Sequence, residues 1–374
     1  MKKMLMVSTV PSMIGQFNMN NISMLLELGY EVHVACDWND RSVWTIEKIN
    51  ALKKQLNNLG VKYHQIDYSR SMFRITKHLK SYKQTLDLVT KNQYDFIHCH
   101  TPIASVIARL VCKKTNTKCV YTAHGFHFYK GAPIQNWIIF YPIEKWLSKY
   151  TDILITINKE DYKRAKDNFY MNRLEYIPGV GIDIDYIKSI TIDKAQLKQN
   201  LKIPKDNVVI ISVGELSKRK NHEIVIKALK NKKNVTYVIC GQGNLEEYLN
   251  NLAKEYNVDL KLLGFRNDRL ELIKMSDIFA FPSLQEGLPV ALMEALAIGI
   301  PCVASKIRGN VDLIKEGKNG ELFNLDSVQS LQLKFEKVFN ILNKYNCISD
   351  MEKYSISNIY QQMMKIYKSE ILQK

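Results

Sequence analysis

Residues 283–301 read SLQEGLPVALMEALAIGIP. The stretch follows the apolar, aromatic run IFAFP and divides into a short turn and a segment apolar on every side, with Val290, Ala291, Leu292, Met293, Ala295, Leu296, Ala297 and Ile298. A helix of that composition belongs inside a domain core. Two carboxylates break the pattern: Glu294 in the middle of the helix and Glu286 at its mouth. A buried carboxylate without a partner is costly. Each therefore either meets a cation or holds a ligand.

Working outward, the same strand-then-helix alternation runs through the chain. MLMVST, EVHVAC, VKYHQI, DFIHC, KCVYTA and DILITI are strand candidates in the first half, and NVVIISVG, VTYVICG, LKLLG, IFAFPS and PCVAS in the second. Segments with helical spacing, such as 18–28, 43–59 and 72–90, lie between them. This alternation implies parallel sheets covered by helices on both faces. The fold class is α/β, with two Rossmann-like doubly wound domains in tandem facing a cleft. The Pro/Gly-containing loop at 178–190 supplies the break. The expected division is a first domain at 1–186, a second at 187–350, and a helical segment at 351–374 that packs back on the first. The opening MKKMLMVSTVP reads as a first strand closed by a loop at Pro11 and Gly15, since its apolar part is too short for a signal peptide.

The chain has 374 residues, 46% hydrophobic and 24% charged, which suits a globular protein with two cores. No apolar run reaches the roughly 18 residues that would signal a transmembrane helix. Seven scattered cysteines without a C-x-x-C pair argue for reduced thiols and a cytoplasmic location. The net charge of +16 points to an anionic partner, be it nucleic acid, membrane or small substrate.

Ligands of open parallel sheets bind beyond the carboxyl ends of the strands, and each polar motif sits there. Gly287 permits a tight turn, and Pro289 suits a first helical turn. Free amides and the dipole at that helix start form an anion site. Glu286 and Glu294 lie eight positions apart, at most roughly 12 Å along a helix axis, a span suited to a nucleotide sugar. Lys218, Arg219 and Lys220 follow the first strand of the second half, where cations offset a diphosphate. Lys218 reads as solvated. His98, His100, His124 and His127 lack the carboxylate or cysteine spacing of a zinc set, so no metal is expected. The DID at 183–185 reads as a helix cap.

GELSKRKN, CGQGNLEEYL, LLGFRND and the 283–305 stretch, in that order, resemble the carboxyl-terminal half of the retaining GT-B glycosyltransferases of family four, with Glu286-x7-Glu294 the most specific element. IHCHTP, YTAHGFHFYKGAP and IPGVGIDID resemble the capsule and exopolysaccharide branch. The resemblance implies that Glu294 holds the ribose hydroxyls, that the amides of Gly287, Leu288 and Val290 cradle the diphosphate, and that Glu286 contacts the donor sugar. It further implies that Lys220, helped by Arg219, binds the phosphates, that the backbone near Phe265 and Arg266 faces the base, that His124 lies beside the transferred sugar, and that the 1–186 domain binds the acceptor and the 187–350 domain the nucleotide sugar. His124, Glu286 and Lys220 form the catalytic set. Gly15, His127 and Asn158 are the acceptor-side candidates. Glu215 stands where the family commonly has arginine, and Asn158 where serine is frequent.

The implied activity is metal-independent, cofactor-free transfer of a hexose or N-acetylhexosamine from a nucleoside-diphosphate sugar, UDP by family habit. The implied acceptor is a lipid-linked saccharide, with retention by same-face attack; no residue stands out as a covalent nucleophile. Arg70, Arg74, Lys77, Lys80 and Lys83, followed by Trp137, Phe140, Tyr141 and Trp146, suit peripheral docking on the inner face of an anionic membrane. A sugar-nucleotide epimerase on the same fold and a basic nucleic-acid-binding protein are the alternatives. The residues form no recognisable nucleic-acid module, and the paired glutamates with AHGFHF favour transfer.

Overall fold

The computed structural model describes residues 2–340 and 351–372. Cys347, Asp350 and the last two residues of the expected C-terminal segment lie outside them. The chain divides into two compact units, one formed by residues up to Val180 together with those from Ser357 onward, the other by Gly181–Ile356.

The first unit runs β1 (Lys3–Val7), α1 (Pro11–Phe17), α2 (Met19–Glu27), β2 (Glu31–Cys36), α3 (Ile46–Asn58), β3 (Lys62–Gln65), α4 (Ile75–Asn92), β4 (Phe96–His100), α5 (Pro102–Thr115), β5 (Lys118–Ala123), α6 (Ile134–Leu147), β6 (Ile153–Thr156), α7 (Lys159–Asn168) and β7 (Arg173–Tyr176). Its seven strands are all parallel, in the order β3-β2-β1-β4-β5-β6-β7. Both faces are buried. Met4, Met6, Val32, Val34 and Phe96 point to one core, and Leu5, Val7, Ala35, Ile97 and Cys99 to the other, the period-2 alternation of a strand covered on both sides.

The second unit runs α8 (Ile184–Ser189), α9 (Lys194–Asn200), β8 (Val208–Val213), α10 (His222–Ala228), β9 (Val235–Cys240), α11 (Glu246–Glu255), β10 (Asp259–Leu262), α12 (Arg269–Met275), β11 (Ile278–Phe281), α13 (Val290–Ile298), β12 (Cys302–Ser305), α14 (Asn310–Leu313), β13 (Gly320–Phe323) and α15 (Val328–Asn340). Its six parallel strands are ordered β10-β9-β8-β11-β12-β13. In each sheet the order reverses once, at β1/β4 and at β8/β11. A crevice opens at such a switch point because the flanking connections leave to opposite sides.

A final helix, α16 (Ile356–Tyr367), returns the chain to the first unit. Ile359, Met363, Ile366 and Tyr367 recur at helical spacing and are buried in the core that holds Met4 and Phe96. At about 1.5–3 kcal/mol per buried side chain, this contact contributes several kcal/mol to the first unit.

Three local features differ from the sequence reading. Pro11 opens helix α1 at its first position, where its missing N–H costs nothing, so Gly15 lies inside a helix and not in a loop. Strands β7 and β13 were not expected; each is four residues at a sheet edge. The unit boundaries fall at 180/181 and 356/357, whereas the sequence reading drew them at 186/187 and 350/351. Ile182 bridges Ser355, with Ile182 N–H donating to Tyr354 O at 2.8 Å and Ile356 N–H to Ile182 O at 3.0 Å. That pairing holds both crossing segments in the second unit. Asp183 caps α8 by accepting from Tyr186 N–H at 2.9 Å.

Candidate active site

In the second unit, Lys220 follows β8 and Glu286 follows β11, so the two flank the switch point. Lys220 Nζ donates to Glu286 Oε1 at 2.8 Å and lies 4.7 Å from the centre of the Phe281 ring. Arg219 Nη1 donates to the same oxygen at 3.1 Å and to Gln285 O at 3.3 Å. The Lys220 side chain is 13% exposed and that of Arg219 47%, so the lysine is the enclosed cation and the arginine sits on the rim. Lys218 is exposed, as is Glu215.

The turn carrying Glu286 is braced from the loop after β12. Arg308 Nε donates to Glu286 O at 3.1 Å and Ser305 Oγ to Ser283 O at 2.6 Å. Asn310 Nδ2 in turn donates to Ser305 Oγ at 3.1 Å. Gly309 has φ +82°, and a Cβ there would lie 2.3 Å from Gly287 O. Only glycine permits both the left-handed backbone and that approach. Gly287 lies in the turn itself, Leu288 is buried, and α13 starts at Val290 behind Pro289.

Glu294 is 6% exposed within α13 and is not alone. Arg269, the first residue of α12, reaches it with both arms of its guanidinium, Nη2 to Oε1 at 2.7 Å and Nε to Oε2 at 3.3 Å. That hydrogen bonding holds the guanidinium more firmly protonated than usual. A bidentate pair occupies one acceptor direction on each carboxylate oxygen, so acceptor capacity remains on Glu294. Arg266 is engaged with Asp268 at 2.7 and 2.6 Å, and the Phe265 side chain beside it is 63% exposed.

In the first unit, the residues after β1, β4, β5 and β6 meet at the carboxyl edge. Thr9 N–H donates to Thr101 Oγ1 at 3.0 Å across the β1/β4 switch point, and the two threonine hydroxyls lie 2.7 Å apart. Thr101 has φ +66°, a strained value for a β-branched residue. His124 follows β5, and its Nε2 lies 3.1 Å from His100 Nδ1. Burial pushes the His124 imidazole down to about 4 and that of His100 well below its usual range, so both are neutral at pH 7. His127 stacks on Phe140, with ring centres 4.7 Å apart.

Asn158 is fully buried and caps α7: its Oδ1 accepts from Asp161 N–H at 2.8 Å, and its Nδ2 donates to Asp161 Oδ2 at 2.8 Å. The same Asp161 oxygen accepts from Phe126 N–H at 3.0 Å. Asn158 thus holds the loop that carries His124 and His127. Gly15 faces α3: a Cβ there would fall 2.2 Å from the Trp44 ring, which makes the glycine a packing requirement. Among the described residues no group of three or more His, Cys, Asp or Glu is placed to hold a metal ion.

Arg269, Arg308 and Asp161 escaped the sequence reading. The available signals were modest: Arg269 closes the RNDR segment just ahead of a helical pattern, and Arg308 precedes a glycine directly after a strand.

Two doubly wound parallel-sheet domains in one chain are the architecture of the GT-B glycosyltransferases. The solved structure of Anabaena HepE in complex with UDP and glucose superposes with a TM-score of 0.76 at 19% identity, covering 98% of this chain and 99% of that one. Residues 193–353 match the family model "Glycosyl transferases group 1" and residues 15–158 the model "Glycosyl transferase 4-like". The chain is 33% identical to the putative glycosyltransferase EpsD of Bacillus subtilis, over 91% of this chain and 88% of EpsD. It is 31% identical to the UDP-Gal:alpha-D-GlcNAc-diphosphoundecaprenol alpha-1,3-galactosyltransferase of Escherichia coli, over 73% and 74% of the two. The chain belongs to this family of glycosyltransferases.

Proposed function

We propose that this enzyme transfers a hexose or N-acetylhexosamine from a UDP-sugar to a polyprenyl-diphosphate-linked saccharide during cell-surface polysaccharide synthesis, with retention at the anomeric carbon. The observation that carries the proposal is the convergence of Lys220 and Arg219 on one oxygen of Glu286 at the β8/β11 switch point, beside the start of α13. Two cations against one carboxylate leave a positive surplus beside a helix start, whose first amides lack intrahelical partners, and a diphosphate is the matching ligand. As the sugar–phosphate bond breaks, charge grows on the leaving diphosphate, and fixed cations stabilise it most at that moment.

Glu286, released in part from its cations by the incoming diphosphate, accepts from hydroxyls of the donor sugar. Glu294 is held rigid by Arg269 and accepts from the ribose hydroxyls, while Phe265 offers its exposed ring to the base. His124 contacts the transferred sugar, and the first unit carries the acceptor. The choice of UDP and of a lipid-diphosphate acceptor is supported by the name of the E. coli relative and by the UDP bound to HepE. The α-linked product in that relative's name supports retention, given a donor that is itself α-linked.

The first unit also suits docking on an anionic membrane, through residues other than those its composition suggests. Trp137, Phe140 and Tyr141 are partly buried against the core, and of that aromatic set only Trp146 is exposed. The most exposed apolar residues of the first unit are Phe73, Ile75 and Leu79 around the start of α4, and Ile134 and Ile138 at the start of α6. Both helices follow strands of one sheet and pack on the same core, so these residues share the carboxyl edge of that sheet. Arg74, Lys77 and Lys83 lie exposed among them, while Lys80 is paired with Asp67 at 2.6 Å. Among the described residues no helix is long and apolar enough to cross a membrane, which leaves peripheral attachment on the cytoplasmic leaflet as the proposed mode.

Calorimetric titration with UDP and GDP tests the donor site. UDP binding that weakens at least tenfold in Lys220→Ala is the expected result. Absence of binding by either nucleotide, or equal binding by the variant, would remove the basis of the proposal.

A further inference from the structure

His98 and His100 project from the same face of β4, with ring centres 4.2 Å apart. His98 is satisfied at both nitrogens, by Tyr367 Oη at 2.8 Å and Thr122 Oγ1 at 2.8 Å. His100 is not: its Nδ1 meets His124 Nε2 at 3.1 Å, but its Nε2 is buried with no hydrogen-bonding protein atom among the described residues. Only 1% of His100 is exposed. His124 is half-buried, and its Nδ1 has no hydrogen-bond partner among the described residues.

Two neutral imidazoles sharing one hydrogen bond have two arrangements, and they differ at the far nitrogen of His100. If His124 Nε2–H donates, His100 must carry its own proton on the buried Nε2, and an N–H is stranded in the interior. If His100 Nδ1–H donates, Nε2 holds only a lone pair. Orphaned buried N–H groups are rare in folded interiors, and acceptors short of a partner are somewhat less so. The second arrangement wins, and it fixes the proton of His124 on Nδ1.

We infer that His100 is a positioning residue that locks His124 as the neutral Nδ1–H tautomer, so that His124 presents a hydrogen-bond donor, and not a base, to a sugar oxygen. Two further observations support the lock. The strained Thr101 backbone, pinned by Thr9, follows His100 directly and holds the main chain that carries its ring. Burial pushes both imidazoles down, which keeps them uncharged and makes the tautomer the only variable. The tautomer itself does not depend on the proposed function; only the sugar contact rests on that reading.

The test is long-range proton–nitrogen NMR on ligand-free protein labelled with ¹⁵N-histidine, with His124→Gln to assign the ring. The expected spectrum shows His124 with protonated Nδ1 and bare Nε2. In His100→Phe the proton redistributes onto Nε2, and in His100→Asn, whose amide can still donate, the wild-type pattern returns. A wild-type His124 protonated on Nε2 would overturn the inference even if His100→Phe failed to fold. A folded His100→Phe with an unchanged tautomer would do the same. Addition of UDP-galactose, UDP-glucose and their 2-acetamido counterparts as probes separates the two claims. A shift at His124 Nδ1–H with one of them supports the sugar contact. No shift with any of them overturns that contact while leaving the tautomer result standing.

Discussion

Glu294 and Arg269 permit a quantitative test of whether the carboxylate in α13 serves the fold or a ligand. Arg269→Met leaves a charge on a residue that is 6% exposed and removes both of its guanidinium hydrogen bonds. Breaking a fully buried pair costs about 3–5 kcal/mol. The Arg269 side chain is 42% exposed, so water reaches the gap, and screening brings the expected cost to about 2 kcal/mol. Glu294→Gln removes the charge itself, retains one acceptor for the guanidinium, and lets Arg269 rehydrate; its cost is about 1 kcal/mol. The double variant costs less than the sum, because the two residues share one interaction. Hydrogen exchange of α13 amides reads these differences within the second unit. Nucleotide binding responds in the opposite order: Glu294→Gln loses a charge-assisted acceptor worth about 1.5–3 kcal/mol, or roughly 10- to 100-fold in UDP affinity, while Arg269→Met loses less. Glu294→Gln being the more destabilising variant, or the two effects adding, would refute the ion-pair reasoning. Unchanged UDP affinity in Glu294→Gln would refute the ribose contact.

Acid sensitivity follows from the buried imidazoles. His98 is fully enclosed and pushed down to about 3 by burial, and His222 in the second unit to about 4, against an ordinary value of 6.5. Below pH 6.5 the unfolded chain takes up protons that the native state refuses, so stability falls as pH drops through that window. The loss is about 1 kcal/mol per such histidine between pH 7 and 5.5. Urea midpoints at the two pH values should converge in His98→Gln relative to wild type, and an identical pH dependence would count against it. For membrane docking, reversing Arg74, Lys77 and Lys83 to Glu should weaken cosedimentation with phosphatidylglycerol vesicles. At about 1 kcal/mol per basic residue near the surface, the effect is on the order of 100-fold. Binding unaffected by that triple reversal would end the docking proposal.

The architecture was legible because parallel strands buried on both faces are written as continuous β-branched runs, EVHVAC and KCVYTA among them, whose limits coincide with β2 and β5. Two of the four edge strands, β7 and β13, lack that signature. Residues 173–176 read RLEY and are half-buried throughout, and 320–323 begin on glycine. Their strand character comes from pairing with β6 and β12, which no local pattern encodes. The helix at Pro11–Phe17 was hidden for a related reason: proline and glycine read as punctuation, but proline at a first helical position and a glycine pressed against Trp44 are both compatible with a helix.

For the site, the sequence exposed the charges that contradict their surroundings and concealed the charges that answer them. Glu294 was conspicuous because its neighbours are apolar; Arg269, 25 positions away on another helix, is ordinary among polar residues, and only packing brings the two together. Arg308 is hidden in the same way, since its contact is to a backbone carbonyl of the Glu286 turn. The aromatics of α6 teach a different lesson. Trp137, Phe140, Tyr141 and Glu144 fall at i, i+3, i+4 and i+7, the spacing of one inward face, and Glu144 on that face meets the buried Arg109 at 2.8 Å. Composition marked these rings as interfacial, while their phase marked them as core. Phase prevails, because a helix buries a face rather than a residue type. Ile134 and Ile138, which no aromatic count would single out, lie exposed at the start of the same helix, and with Trp146 they are part of the apolar surface that α6 offers a membrane.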